Sequence, residues 1–310
     1  MCRFRDGRCG VALSDNARGV IFMNVAMAAF TLNDAMMKLA TVEVPLMQAI
    51  ALRGGAAAAV LSLLAVATGA LRVPLARRDR AILALRTAAE VAATLTFLAA
   101  LLHLPLANLS AILQSLPLAV TLAAALVLRE PVGRRRLAAI AAGFAGVLLI
   151  VRPGTAGFDG WSVLGLVSVA FVVVRDLSTR RFSAMVPSAT VALTAAVAVA
   201  LTGLAGMGLE GGWQPMSGRD ALRIGGAAAA LVFGYLLIVK AMRTGAVAVV
   251  APFRYVALLW AIILGWLLFG TLPDGLTWIG AGLIVSSGLY TLWREARLRR
   301  VVAAAAGVGA

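Results

Sequence analysis

The chain has 310 residues, of which 62% are hydrophobic and only 13% are charged, and its mean hydropathy is +0.97. Soluble domains are about half apolar and about one-quarter charged, so this composition excludes a soluble fold. The net charge of +15 does not indicate a nucleic-acid partner, because the arginines cluster in short segments between long apolar runs, where they set membrane orientation. These continuous runs also exclude the alternating strands of an outer-membrane barrel.

A helix needs about 20 mostly apolar residues to cross a bilayer. On this criterion the sequence predicts ten spans, with Pro or Gly near many of their ends. The connections are short and leave no room for a soluble domain, so the predicted fold class is an all-α integral membrane protein. The predicted spans are 19–40, 45–68, 80–102, 106–128, 134–152, 160–181, 187–209, 221–242, 246–269 and 275–296.

Basic residues occur mainly in every second connection, and this alternation predicts the topology. It places both termini, the tails 1–18 and 297–310, in the cytoplasm of a bacterium whose inner membrane holds the chain. The first apolar run lacks a small-residue cleavage site and is predicted to be a span rather than a signal peptide. Cys2 and Cys9 match no metal or redox spacing, and no cofactor or metal is predicted. The basic segments are 3–18, 72–80, 129–136, 175–181, 240–243 and 294–300.

An offset of 142 residues relates the two halves of the chain without gaps. It matches Asp34 with Asp176, Lys38 with Arg180, and Gly146 with Gly288, and it also matches the Val-Pro pairs at 44–45 and 186–187. Because each half holds five predicted spans, the second half enters the membrane from the opposite side. This is the inverted-repeat arrangement of secondary transporters, in which substrate binds near the midplane between the halves.

Three segments carry a family resemblance. They are "NDAMMK…PLMQAIALRG" near the start, "ILQSLPLAVTLAAALVLREPVGRRRLAAIAAGFAGVLLI" in the first half and "APFRYVALLWAIILGWLLFGTLPDGLTWIGAGLIVSSGLY" in the second. The chain resembles the ten-helix, EamA-like members of the drug/metabolite transporter superfamily. Pro117 and Glu130 stand at family positions, whereas Thr271 replaces the Glu that the family has in the second half.

The resemblance implies two inverted five-helix EamA repeats, at 19–152 and 158–296, around a central cavity. Spans 1–4 and 6–9 would line the cavity, and spans 5 and 10 would pack outside it. The family includes carriers of amino acids, nucleosides and sugars, and one branch exports aromatic amino acids. The sequence therefore predicts a non-enzymatic transporter that exports amino acids, with the small-molecule substrate, lipid and protons as its partners.

Ionisable side chains deep in a membrane are costly and mark functional sites. Glu90 lies near the midplane of the third predicted span, and Arg53 or Arg254 could face it to bind an amino-acid zwitterion. The alternative is an ion pair that only joins helices, or a carboxylate that takes up a proton. The remaining predicted substrate-binding residues are polar or aromatic: Asn33, Thr94, Phe97, Gln114, Tyr235 and Trp260.

Two charged pairs, Asp34 with Lys38 and Asp176 with Arg180, are predicted as gates near opposite membrane surfaces. At a spacing of four residues, each pair shares one helix face. The simpler alternative is that both pairs are interfacial ion pairs whose basic members extend to the membrane surface. The sequence has no filter-like motif, which disfavours a channel. A zinc protease would need two histidines, and the chain has one. Uptake and other metabolite classes remain open.

Overall fold

The computed structural model describes residues 14–67, 69, 74–127, 133–155, 159–183 and 185–307, and all regular structure within them is helical. Cys2, Cys9 and Glu130 lie outside the described residues. The α-helices are α1 (Asp15–Ala40), α2 (Leu46–Ala67), α3 (Arg77–His103), α4 (Leu106–Leu113), α5 (Leu116–Val127), α6 (Arg134–Val151), α7 (Gly160–Thr179), α8 (Ser188–Met207), α9 (Gly218–Thr244), α10 (Val247–Val250), α11 (Val256–Phe269) and α12 (Gly275–Gly307), with a 3₁₀ helix at Ala251–Tyr255.

The prediction of a multi-pass helical protein is confirmed. Within the described ranges, nine segments are long and apolar enough to cross a membrane, and they correspond to nine of the ten predicted spans. The remaining predicted span, 134–152, is α6, a helix of 18 residues that begins with three arginines. It packs along α12, so it lies beside a helix that is apolar enough to span.

Eight of the predicted spans follow one another in a closed ring. In order, α1 packs on α9, α9 on α2, α2 on α8, α8 on α3, α3 on α7, α7 on α4 and α5, α4 on α11, and α11 on α1. The paired helices α6 and α12 also contact α4 and α5. Exchanging the two sequence halves, so that α1 takes the place of α7 and α2 that of α8, leaves the ring order unchanged.

Two of the spans are broken, one in each half. The fourth span is interrupted at Gln114 and Ser115, between α4 and α5, and the ninth is interrupted by the 3₁₀ helix that contains Pro252. Proline removes a backbone donor and its ring disfavours a continuous helix, which accounts for a break close to Pro117 and at Pro252. The breaks touch each other, because Gln114 Nε2 donates to the Arg254 carbonyl at 3.3 Å.

The ring has two ends, which we name by the gate residues predicted there. At the Lys38 end, α1, α3, α8 and α11 finish, and α2, α4, α9 and α12 begin. Side chains tie these helix ends to loops: Met47 N–H donates to Glu210 at 2.8 Å, and Gln48 exchanges two 2.9 Å bonds with the backbone of Gln214. At the Arg180 end, Asp79 of α3 accepts from the backbone and hydroxyl of Ser183.

Apolar residues seal the Lys38 end. One buried cluster draws side chains from α1, α2, α3, α4, α8, α9 and α11, including Met37, Ile50, Leu98 and Leu101, each no more than 2% exposed. Its members come from the halves of α1, α2, α3, α4, α8 and α9 that lie toward the Lys38 end. The ring is therefore packed shut at that end by burial of side chains from most of its helices.

Asp274 and Arg152 form an ion pair outside the spans, between the start of α12 and the end of α6. Hydrogen bonds from Arg152 and then Thr277 lower the pKa of Asp274 to about 2. The carboxylate is therefore ionised throughout the physiological pH range. Because half of the Asp274 side chain is exposed, we expect the pair to contribute no more than about 1 kcal/mol.

Glycines bring two helix pairs into backbone contact. A Cβ atom at Gly203 of α8 would lie 2.5 Å from the Ala51 nitrogen of α2, and one at Gly280 of α12 would lie 2.5 Å from the Gly146 carbonyl oxygen of α6. Gly282 of α12 is spaced with Ser286 as a small-xxx-small pair, but it does not have this role, because it is exposed with open space beside it. It lies on the other face of α12.

Gly280→Ala is expected to destabilise the protein, whereas Gly282→Ala is expected to leave it unchanged or stabilise it slightly. The added methyl at position 280 meets a backbone oxygen that cannot rotate away, and overpacking costs about 1–3 kcal/mol. The same change at position 282 meets nothing and removes glycine from a helix, which is worth about 0.5–1 kcal/mol. Thermal unfolding of the purified variants in detergent measures the difference; equal melting temperatures would contradict it.

Candidate functional site

Seven charged residues lie at the centre of the ring, on α1, α2, α3, α7 and the 3₁₀ helix, and we call them the central charged cluster. Hydrogen bonds, ion pairs or short-range electrostatic interactions connect each one to a neighbour. Their position beside both helix breaks agrees with the rule that discontinuous helices mark a transporter's binding site. The members are Asp34, Arg53, Arg86, Glu90, Arg175, Asp176 and Arg254.

On α1, Asp34 is held by its neighbour in the sequence. Asn33 Nδ2 donates to Asp34 Oδ1 at 2.8 Å, and Arg53 of α2 donates to Asn33 Oδ1 at 3.3 Å. Arg53 is only 7% exposed, and its Nε has no hydrogen-bond partner. This chain of bonds connects α1 to α2 through an amide rather than by direct contact of opposite charges.

On α7, Arg175 and Asp176 match Asn33 and Asp34 at the offset of 142 residues and are bonded to each other in the same way. Arg175 donates to Asp176 Oδ1 at 2.9 Å, and its guanidinium also reaches Glu90 of α3 at 3.3 Å. Glu90 receives a second guanidinium, that of Arg86, at 3.3 Å. The sequence predicted Arg53 or Arg254 opposite Glu90, and the structure instead places Arg86 and Arg175 there. Arg53 is near enough to Glu90 for electrostatic interaction only.

Arg254 occupies the 3₁₀ break of the ninth span. Its side chain is exposed, yet it lies within electrostatic range of Asp176 and Arg175 on α7. A guanidinium that is accessible and also close to ring residues lines the interior of the ring.

Lys38 forms no ion pair with Asp34, contrary to the predicted gate pair. Its Nζ donates to the carbonyl oxygens of Leu101 at 2.5 Å and Leu104 at 2.6 Å, where α3 finishes. The ring of Phe269 lies 5.7 Å away, at the end of α11. The last carbonyls of a helix lack intrahelical donors and attract cations, which explains why the ammonium binds there. Lys38 therefore joins α1 to α3 across the sealed end.

The other predicted residues are less closely associated with the cluster. Tyr235 of α9 is near Arg86 and Glu90, whereas Trp260 donates its indole N–H to Asn24 at 3.0 Å. Phe97 packs against the apolar cluster at the Lys38 end, and Thr94 is partly buried on α3. Arg180 is exposed at the end of α7. None of these placements tests a transport role, which stays a prediction for each residue.

Sequence reasoning missed both Arg86 and Arg175 as site residues. The repeat contained the signal, because the same offset of 142 that pairs Asp34 with Asp176 also pairs Asn33 with Arg175. The matched unit is thus a polar residue followed by Asp, with a basic residue four positions further. In each half, the first of these residues donates to the second.

Residues 17–152 match the EamA-like transporter family. That stretch holds α1 to α6 with Asp34, Arg53, Arg86 and Glu90. This stretch is therefore similar to EamA-like transporters of the drug/metabolite transporter superfamily, which agrees with the family resemblance of the sequence. The match agrees with the prediction that the chain is a transporter and not an enzyme. The membership of the aromatic amino-acid exporter branch, which the sequence suggested, stays a prediction.

Relatives named as transporters are about one-third identical to this chain, or less, over the aligned region. Two are named riboflavin transporters: one from Rhizobium johnstonii, 32% identical over 179 residues, covering 57% of this chain and 58% of the relative, and one from Vibrio cholerae, 29% identical, covering 57% and 59%. An S-adenosylmethionine uptake transporter from Rickettsia prowazekii is 24% identical, covering 56% and 58%. The matched region thus spans less than two-thirds of each relative.

A solved crystal structure shares the fold of most of this chain. It aligns with a TM-score of 0.62 and covers 90% of this chain and 98% of its own, at 22% sequence identity. At this identity the likeness concerns the arrangement of helices alone.

Proposed function

We propose that the chain is a secondary transporter that moves a small organic metabolite across the bacterial inner membrane by alternating access between two inverted five-helix repeats. One observation carries the proposal: the ring is packed shut at the Lys38 end, while Arg254 at its centre is exposed and the other charged residues there, except Arg53, are partly exposed. Alternating access requires a central binding site that is closed to one side of the membrane at a time. The unchanged ring order on exchange of the halves supports the inverted repeat.

Lys38 and Arg180 act as alternating latches in this mechanism. With both termini cytoplasmic, the Lys38 end faces outward, and the structure corresponds to a state closed to the outside. Adding the repeat offset of 142 to the carbonyl partners of Lys38, Leu101, Leu102 and Leu104, gives residues 243, 244 and 246 at the end of α9. In the opposite state, Arg180 binds the backbone carbonyls at these positions and closes the cytoplasmic end.

The sequence predicts export of amino acids, and the relatives suggest riboflavin or S-adenosylmethionine as other substrates to test. Purified protein in proteoliposomes, loaded with one unlabelled compound and challenged with its labelled form, distinguishes these classes by counterflow. Saturable uptake that is accelerated by internal substrate supports a carrier, and an imposed pH gradient then tests proton coupling. Flux that never saturates and ignores internal substrate would indicate a channel and contradict the proposal.

A further inference from the structure

We propose that the transported substrate is a small organic anion and that Arg254 binds its anionic group. The proposal rests on the transport function above and names the chemical class that the site accepts. The proposed anion differs from the zwitterion that the sequence predicted. The reason is that Glu90 already contacts two arginines, whereas the guanidinium of Arg254 has no such contact among the described residues.

Arg254 stands apart from the other arginines of the central charged cluster. Arg53 donates to Asn33, and Arg86 and Arg175 both contact Glu90. The guanidinium of Arg254, in contrast, makes no hydrogen bond or ion pair with any side chain or backbone group among residues that the structure describes. Its nearest charged neighbours, Asp176 and Arg175, act on it only through space.

An uncompensated guanidinium at membrane depth is costly, and such residues mark substrate pathways. Arg254 is also held in place for binding, because Gln114 from the other broken span donates to its backbone carbonyl at 3.3 Å. The two breaks thus fix the backbone of the 3₁₀ turn and leave the side chain accessible. A planar guanidinium presents paired donors that match a carboxylate or phosphate, which it binds through two parallel hydrogen bonds.

The net charge of the central charged cluster also favours an anionic substrate. Its four guanidinium groups face three carboxylates, so one positive charge is in excess when every carboxylate is ionised, and protonation of any carboxyl would increase that excess. An anion neutralises the cluster, whereas an overall neutral zwitterion does not. Opposite charges within about 4–6 Å stabilise each other strongly where the surroundings are poorly hydrated.

The carboxylates are already engaged. Glu90 accepts from Arg175 and contacts Arg86, Asp176 accepts from Arg175, and Asp34 accepts from Asn33. An incoming ammonium group would compete with these donors for the carboxylates, whereas an incoming carboxylate meets a guanidinium that has no competing partner among the described residues. The site is therefore arranged for a negative group.

Two sets of compounds, each made of a carboxylate, its neutral amide and the corresponding zwitterionic amino acid, test the proposal on purified full-length protein. One set is acetate, acetamide and glycine; the other is 3-phenylpropionate, 3-phenylpropionamide and phenylalanine. We expect a carboxylate to raise the melting temperature in at least one set, with its amide having no effect and the zwitterion a smaller one. Arg254→Gln should abolish this rise, and Arg254→Lys should weaken the apparent affinity by about tenfold, since a point charge replaces a bidentate pair.

Arg297→Gln is the matched control, because it removes one guanidinium beyond the spans, where Arg297 lies 5.6 Å from the centroid of the Trp293 ring. The control should bind the carboxylate as the wild type does. An equal response to carboxylate and amide, a carboxylate response that survives in Arg254→Gln, or no carboxylate-specific response in either set would overturn the proposal.

The counterflow assay separates this inference from the proposed function. If a zwitterion or cation exchanges saturably and at equal rates in wild type and Arg254→Gln, the anion site is wrong and transport stands. If the carboxylate binds in an Arg254-dependent way but no compound exchanges, the anion site stands and transport is wrong.

Discussion

Lys38→Met is expected to unseal the outer end of the ring and to abolish productive transport. Methionine keeps the length and apolar character of the side chain but cannot donate to the carbonyls of Leu101 and Leu104. Hydrogen bonds to charged groups are each worth about 1.5–3 kcal/mol, so losing two of them shifts a balance between closed and open states by at least about tenfold.

Cysteine accessibility measures this shift directly. In a protein whose Cys2 and Cys9 are replaced by serine, a reporter Leu98→Cys lies in the sealed cluster, where Leu98 is 2% exposed. We expect a membrane-impermeant thiol reagent applied from outside to label it slowly, and to label it much faster in the Lys38→Met background. Lys240→Met, which removes an ammonium 4.8 Å from the centroid of the Phe22 ring, should leave labelling unchanged. Similar labelling in both backgrounds would show that Lys38 is no latch.

Glu90→Gln is expected to reduce transport by at least about tenfold while the protein still folds. Glu90 connects α3 to α7 by accepting from Arg175, and it also contacts Arg86 of its own helix. An amide keeps the shape of the side chain but loses the charge, so each contact weakens by a fraction of the roughly 1.5–3 kcal/mol of a charged hydrogen bond. Two guanidinium groups then repel each other across an uncharged residue, and the central charged cluster becomes more positive.

Transport rate and melting temperature should be measured together on Glu90→Gln. We expect the melting temperature to fall by a few degrees and the transport rate to fall far more, because the residue acts on the cluster as well as on stability. Glu43→Gln, an exposed change in the turn after α1, provides the control for loss of one carboxylate. Wild-type transport in Glu90→Gln would remove Glu90 from the mechanism.

The hydropathy pattern predicted the membrane-spanning helices well, because bilayer thickness fixes span length, and nine of the ten predicted spans are long apolar helices in the described residues. The spacing of 142 residues also predicted which positions are equivalent, and the structure shows matching local bonds at Asn33–Asp34 and Arg175–Asp176. These properties follow from short-range rules that a sequence displays directly.

The partners of individual charges could not be predicted in the same way. A spacing of four residues placed Lys38 beside Asp34 on one helix face, but the ammonium binds carbonyls of α3, more than sixty residues away in sequence. Such contacts depend on which helices lie next to each other in the helix ring. Likewise Gly282 fits a small-residue motif, although Gly280 makes the contact, because helix rotation about its axis depends on the partner surface.

The two glycine contacts have a mechanical consequence. On exchange of the halves, α2 and α8 change places with each other, as do α6 and α12, so these pairs are where one half meets its own counterpart. Both meet with bare backbone against backbone, at Gly203 and at Gly280. Under the proposed alternating access, these two backbone contacts are the points at which one half would tilt against its counterpart, and the latches at either end would set the direction of tilt.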